Sequence, residues 1–179
     1  RTFDFAYTYS SNHQLFVANL FYVKADDLIQ RSISDGIIQF GNTGKIKRSG
    51  FELDYQWTSE AFTLFSNASY LHQGDSDNDD PAAGVAPKFM LSLGLLYPIN
   101  DAHSVGLSDK FISSRAMANS HQQLNLHYQY THQNIDVFLT AKNVLDEDLM
   151  AADVQNFTRD QLIINQQGQH WLAGIRINF

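Results

Sequence analysis

The chain has 179 residues, a formal charge of −7, no cysteine, 3 prolines, 10 glycines and an aromatic fraction of 13%. The missing cysteines exclude a disulfide scaffold and thiolate-ligated metal, and an acidic balance with no basic stripe speaks against a nucleic-acid partner. No stretch reaches the roughly 18 apolar residues of a membrane-spanning helix, yet a membrane β-barrel stays open, because its strands turn only every second residue to lipid.

Residues 2–9 read as a strand with Phe3, Phe5, Tyr7 and Tyr9 on one side. A strand this early leaves no room for an export leader, so a mature chain or a fragment is expected. After a short turn at Ser10-Ser11-Asn12-His13, a segment from 14 to about 30 carries Ala18, Leu20 and Tyr22 on one face, and a long polar link is expected over 31–45. Residues 47–57 alternate most cleanly, with Phe51, Leu53, Tyr55 and Trp57 opposite Gly50, Glu52, Asp54 and Gln56. Another short turn leads to a strand over 62–73, then to an acidic loop over 74–86. Phe89, Leu91, Leu93, Leu95 and Tyr97 form an unbroken apolar face, closed by the turn Pro98-Ile99-Asn100-Asp101.

A strand over 103–113 follows, in which Asp109 falls among Val105, Leu107 and Phe111 on the apolar side; a bulge or a position at the rim is expected to relieve it. Leu124, Leu126, Tyr128 and Tyr130 then oppose Asn125, His127 and Gln129, and Ile135, Val137, Leu139 and Ala141 oppose Asp136, Thr140 and Lys142. A long loop over about 146–167 precedes a final strand with Trp171, Ala173, Ile175, Ile177 and Phe179 on one face and His170, Leu172, Gly174, Arg176 and Asn178 on the other. The expectation is an all-β antiparallel meander of about nine strands without a convincing helix. Links alternate between short and long, polar residues sit opposite the apolar faces, and aromatics (Trp57, Tyr97, Tyr130, Phe179) gather at strand ends. Together these favour the wall of a transmembrane barrel with lipid on one side and a wet lumen on the other.

Four segments carry a family resemblance. Asn42-Thr43-Gly44-Lys45-Ile46-Lys47-Arg48-Ser49-Gly50-Phe51-Glu52 resembles a strand entry of TonB-dependent outer-membrane receptors. Ala86-Pro87-Lys88-Phe89 leading into Leu91-Ser92-Leu93-Gly94-Leu95 resembles a later strand, and Asn143-Val144-Leu145-Asp146-Glu147 is similar to their Asn-Leu-Phe-Asp motif. Gly174-Ile175-Arg176-Ile177-Asn178-Phe179 resembles their last strand. Leu149 departs from the pattern, standing where the family often has tyrosine.

The resemblance covers essentially the whole chain and implies residues 1–179 are the C-terminal portion of a receptor barrel, 22-stranded when complete, with the plug domain and the N-terminal strands absent. It further implies energised uptake of a scarce nutrient, most often an iron–siderophore chelate, in the outer membrane of a Gram-negative bacterium, with no enzymatic chemistry and no cofactor. The implied partners are outer-membrane lipid, TonB through the missing N-terminal region, a small-molecule ligand such as a ferric chelate, and the barrel-assembly machinery. That machinery would read the last strand, through Trp171, Ile175, Ile177 and Phe179.

Loops held by a rigid wall are where recognition residues gather. Arg31, Phe40 and Lys45 in one long link, with Phe157 and Arg159 in another, combine cations and aromatics as an anionic chelate requires. Asp75, Asp77 and Asp79 alternate as in a calcium loop, but Asp80 and Ala86 stand where an EF-hand needs glycine and a bidentate glutamate, so a solvated loop is the expectation there. No two of the seven histidines have zinc spacing within one element, and there is neither a Gly-x-Ser-x-Gly element nor a phosphate cradle. Three alternatives remain: a passive porin-like channel, a barrel enzyme, and a soluble β-sandwich binding module. The last requires Phe89, Leu91, Leu93 and Leu95 to be sealed in a protein core.

Overall fold

The structure, a computed structural model, describes residues 1–34, 37–74, 86–115, 118–152, 163–165 and 168–178. They form β1 (Thr2–Ser10), β2 (Gln14–Ser34), β3 (Ile37–Thr58), β4 (Thr63–Gln73), β5 (Phe89–Pro98), β6 (His103–Ile112), β7 (His121–His132), β8 (Ile135–Lys142), β9 (Met150–Ala152), β10 (Ile163–Asn165) and β11 (His170–Ile177), with no helix among the described residues. Nine strands make one antiparallel sheet in the order β1-β2-β3-β4-β5-β6-β7-β8-β11, and β9 and β10 form a separate small hairpin. The expected meander is present, and β1 and β11 each have a single neighbour.

Because side chains alternate along each strand, register decides what shares a face. One row of paired residues runs Trp57, Leu64, Leu95, Leu107, Leu126, Ala141, Trp171 across seven strands. The row one residue over runs Gln56, Phe65, Gly94, Ser108, Asn125. No strand swaps its faces between rows, so a single sheet has one apolar and one mostly polar side. The apolar side has no covering layer: Leu93 is 42% exposed and Leu126 40%. A soluble sandwich would bury such residues against a second sheet, and the buried apolar side chains among the described residues are only Ala118, Ala141 and Leu149.

The links at one end of the sheet are tight. Ser11 N–H bonds to the Gln14 carbonyl at 2.8 Å and Ser59 N–H to that of Phe62 at 2.9 Å. The Asn100 Oδ1 accepts from the Ala102 and His103 amides at 2.9 and 3.0 Å. The β7–β8 turn is two residues long, with Gln133 at φ 51°.

One expectation needs correction and another is narrowed. The polar link over 31–45 is not a loop, because β2 and β3 stay paired as far as Ser34 and Ile37. Register shifts flank Leu28: β2 has Asp26 and Asp27 opposite Lys45, and β3 has an extra residue between Gly44 and Asn42. Asp27 takes φ 59° there. The two bulges cancel and the original register returns, but each breaks the alternation by which a strand is recognised. At Asp109, by contrast, the β5–β6 ladder is unbroken from Met90–Ile112 to Pro98–Ser104, so no bulge relieves the carboxylate. It stays on the apolar face between Leu93 and Leu124, and the Gln122 side-chain amide on the same face donates to its Oδ2 at 2.8 Å.

Candidate functional site: the polar face and the long-loop end

The polar face is held by cross-strand side-chain bonds between register neighbours. The Asn19 and Asn67 amides donate to Glu52 and Asp54, and the Asn125 amide to the Ser108 hydroxyl at 3.1 Å. His127 Nδ1 bonds to the Thr140 hydroxyl at 2.8 Å, and the Thr131 hydroxyl donates to Asp136 at 2.9 Å. Lys142 stands opposite His170 and Arg176 opposite Asp136. On this face Glu52 and Asp54 lie on β3 and Asp136 on β8, and Lys110, His127, Lys142, His170 and Arg176 lie on β6 to β11.

Three phenylalanines also face this side, each paired with a glycine on the next strand: Phe21 with Gly50, Phe65 with Gly94, Phe138 with Gly174. A Cβ added at Gly94 would fall 1.9 Å from the Phe65 ring, at Gly174 2.4 Å from Phe138, and at Gly50 2.7 Å from Phe21. The rings therefore lie flat on the neighbouring backbone instead of standing out from the polar face. Gly106 adds a further gap, opening a depression of about 290 Å³ bounded by Phe65, Leu96, Asn125, His127, Thr140 and Lys142. Its floor is apolar and its rim carries hydroxyl, imidazole and ammonium groups.

Beyond β8, the chain is turned back by Asn143, which is fully buried at φ 50°. Its side-chain amide donates to the Glu147 carbonyl at 2.8 Å and its Oδ1 accepts from the Glu147 amide at 3.1 Å. Its own N–H donates to Asn125 Oδ1 at 3.0 Å. Asp146, at φ 53°, accepts from the Gln169 amide at 2.9 Å, and Glu147 Oε2 accepts from the Gln122 amide at 3.2 Å. One pentapeptide, Asn143 to Glu147, thus ties β7, β8 and the approach to β11 together. Sequence reasoning noted this segment only as a resemblance. The missed signal was an asparagine followed three residues later by aspartate, both types that tolerate positive φ.

Of the residues expected to contact ligand, Arg31 and Phe40 are register partners in the β2–β3 ribbon, where Phe40 is 72% exposed. Lys45 sits apart from them, at the bulge opposite Asp26 and Asp27. Phe157, Arg159, Asp75, Asp77, Asp79 and Phe179 lie outside the described residues. Trp171, Ile175 and Ile177 share the apolar face of β11, exposed by 62, 69 and 50%. Among the described residues no three His, Asp or Glu side chains converge as a metal site.

The sequence profile of the family described as TonB dependent receptor-like, beta-barrel matches residues 1–144. No curated protein matches the sequence. Among solved structures, the ferric-catecholate import receptor Fiu of E. coli K12 is similar at a TM-score of 0.77 and 16% identity, over 99% of this chain and 27% of its own. The ferric yersiniabactin uptake receptor FyuA of Yersinia pestis is similar at 0.77 and 14%, over 99% and 29%. The copper transporter OprC is similar at 0.73 and 15%, over 99% and 31%. At these identities the likeness is one of fold, and the chain spans less than a third of the length of each.

Proposed function

Since the chain belongs to the TonB dependent receptor-like β-barrel family, we propose that it is part of the wall of an energised import receptor in a Gram-negative outer membrane. Members of the family are outer-membrane barrels that act as receptors and transporters, not enzymes. The observation that carries the reading is the sheet itself: nine strands with one uncovered apolar face and one self-bonded polar face. Such a sheet is at ease only with lipid on one side and an aqueous lumen on the other. The segment is the C-terminal portion of a longer barrel, and the remaining strands, a plug and the TonB-contacting region belong to the rest of that protein. In its last strand, Trp171, Ile175 and Ile177 offer the assembly machinery an apolar edge.

The cargo is a metal chelate, most simply a ferric siderophore, in keeping with relatives that import ferric catecholate and ferric yersiniabactin. The β2–β3 ribbon, with Arg31 beside Phe40, supplies a cation and a ring suited to an anionic chelate. The test is uptake of radiolabelled ferric siderophores by iron-starved cells with and without the full-length receptor. Receptor-dependent uptake that a protonophore abolishes is expected. Uptake that survives the protonophore would mean a passive channel, and no uptake of any iron chelate would refute the assigned cargo.

A further inference from the structure

At the short-turn end of the apolar face, four rings gather at the boundary of the lipid-facing band: His103 at the start of β6, and Tyr128, Tyr130 and His132 at the end of β7. Tyr130 lies 4.8 Å from His103 and 6.3 Å from His132, the latter pair nearly parallel at 9°. His103 Nδ1 and the Tyr128 hydroxyl are 2.6 Å apart. Directly below them on the face lie Val105, Leu107, Leu126 and Leu139. Tyrosine at such a boundary is ordinary, since its ring sits in the hydrocarbon and its hydroxyl in the headgroups. Paired imidazoles are not required by that logic.

The His103–Tyr128 bond has a consequence that holds for either imidazole tautomer. If the phenol donates to Nδ1, the ring proton is on Nε2 and points elsewhere. If Nδ1–H donates to the phenol oxygen, the phenolic proton is left over. In both cases one N–H or O–H remains without a protein acceptor, because the His103 ring has no other hydrogen bond among the described residues. A donor left at the edge of hydrocarbon needs an acceptor that lives at that depth. His132, exposed at the end of the stack, adds a second N–H on the same side.

We propose that the His103–Tyr128 pair, with His132 beside it, binds the phosphodiester of a phospholipid in the leaflet on the short-turn side. The proposal rests on the membrane-barrel reading above. The phosphate oxygens accept from the imidazole or phenol, the acyl chains lie along Val105, Leu107 and Leu126, and the Tyr130 ring separates the two histidines.

The test uses the full-length receptor purified in detergent, delipidated, and titrated with phosphatidylglycerol or with diacylglycerol of the same chains while bound lipid is counted by native mass spectrometry. Wild type is expected to hold phosphatidylglycerol in preference to diacylglycerol. The double variant His103→Phe/Tyr128→Phe, which keeps both rings in the stack and removes both donors, is expected to weaken phosphatidylglycerol binding about ten-fold, the worth of one charge-assisted hydrogen bond. Equal retention of the two lipids by wild type, or unchanged phosphatidylglycerol binding by the double variant, would overturn the proposal. Should the double variant fail to assemble, the wild-type comparison of the two lipids still decides. Outer-membrane recovery and a boiling-dependent gel shift of wild type are recorded alongside. If these fail, the membrane reading is wrong, whereas lipid indifference in a protein that passes them refutes only the phosphate site.

Discussion

Leu107 and Ser108 are neighbours in β6, yet they belong to two differently built surfaces. Leu107 lies in a row of apolar side chains that meet no second layer, and its neighbours Leu95 and Leu126 touch it only from the sides. Ser108 accepts a bond from Asn125, which also receives the Asn143 amide, and its register partner is Gly94, under the Phe65 ring. The outward surface is specified by what surrounds it, so its shape is loosely constrained and its polarity tightly constrained. The inward surface is specified by its own bonds and clearances, so charge is tolerated there and volume is not.

That contrast is open to direct attack in the full-length receptor, by urea unfolding in lipid vesicles. The largest effect is expected from Leu107→Arg, at about 2–4 kcal/mol of destabilisation if the position lies near mid-bilayer. Ser108→Asp, one residue on, brings a charge with little added volume and keeps an acceptor for Asn125, so it is expected to lose no more than about 1 kcal/mol; equal losses at the two positions would dissolve the distinction between the faces. Gly94→Ala comes next, at roughly 1–3 kcal/mol for overpacking against Phe65. Most of that loss should vanish in a Phe65→Ala background, and a purely additive double mutant would show that the ring and the glycine do not act as a unit. Asn143→Ala removes buried hydrogen bonds and leaves alanine at positive φ, with about 1–3 kcal/mol expected, together with faster proteolysis between β8 and β11. The smallest effect is that of Asp109→Leu. It removes a carboxylate from the apolar face but orphans the Gln122 amide, so a gain of up to about 1 kcal/mol is expected. A loss of 2 kcal/mol or more would mean that Asp109 contacts something other than lipid.

Much of this architecture could be read from the residues alone, because alternation needs only one strand to be visible. Phe51, Leu53, Tyr55 and Trp57 announce their face without reference to any partner, and the turns that follow fix the order of strands. Residues 31–45 read as a polar link because two compensating bulges, one on each strand, interrupt the period. The phenylalanine–glycine joints were hidden for a different reason. Phe65 looks misplaced on a polar face until register puts Gly94 beneath it, and register between strands is not written in either strand separately. The candidate ligand residues were only partly placed, with Arg31 and Phe40 brought together and Lys45 set apart.

The β2–β3 ribbon continues past the point where it has neighbours: β1 leaves it at Val23 and β4 at Arg48, while the two strands stay paired to Ser34 and Ile37. Eleven further residues of β2 at about 3.3 Å each make an arm of roughly 36 Å. On the proposed function, with long links outside and short turns inside as in outer-membrane barrels, it projects outside the cell. There it stands within reach of an antibody or a bacteriophage. Because no strand among the described residues pairs with its outer half, its residues other than Arg31 and Phe40 are free to drift without disturbing the barrel, and on the proposed function the organism has here an epitope it can change while the machinery beneath stays the same.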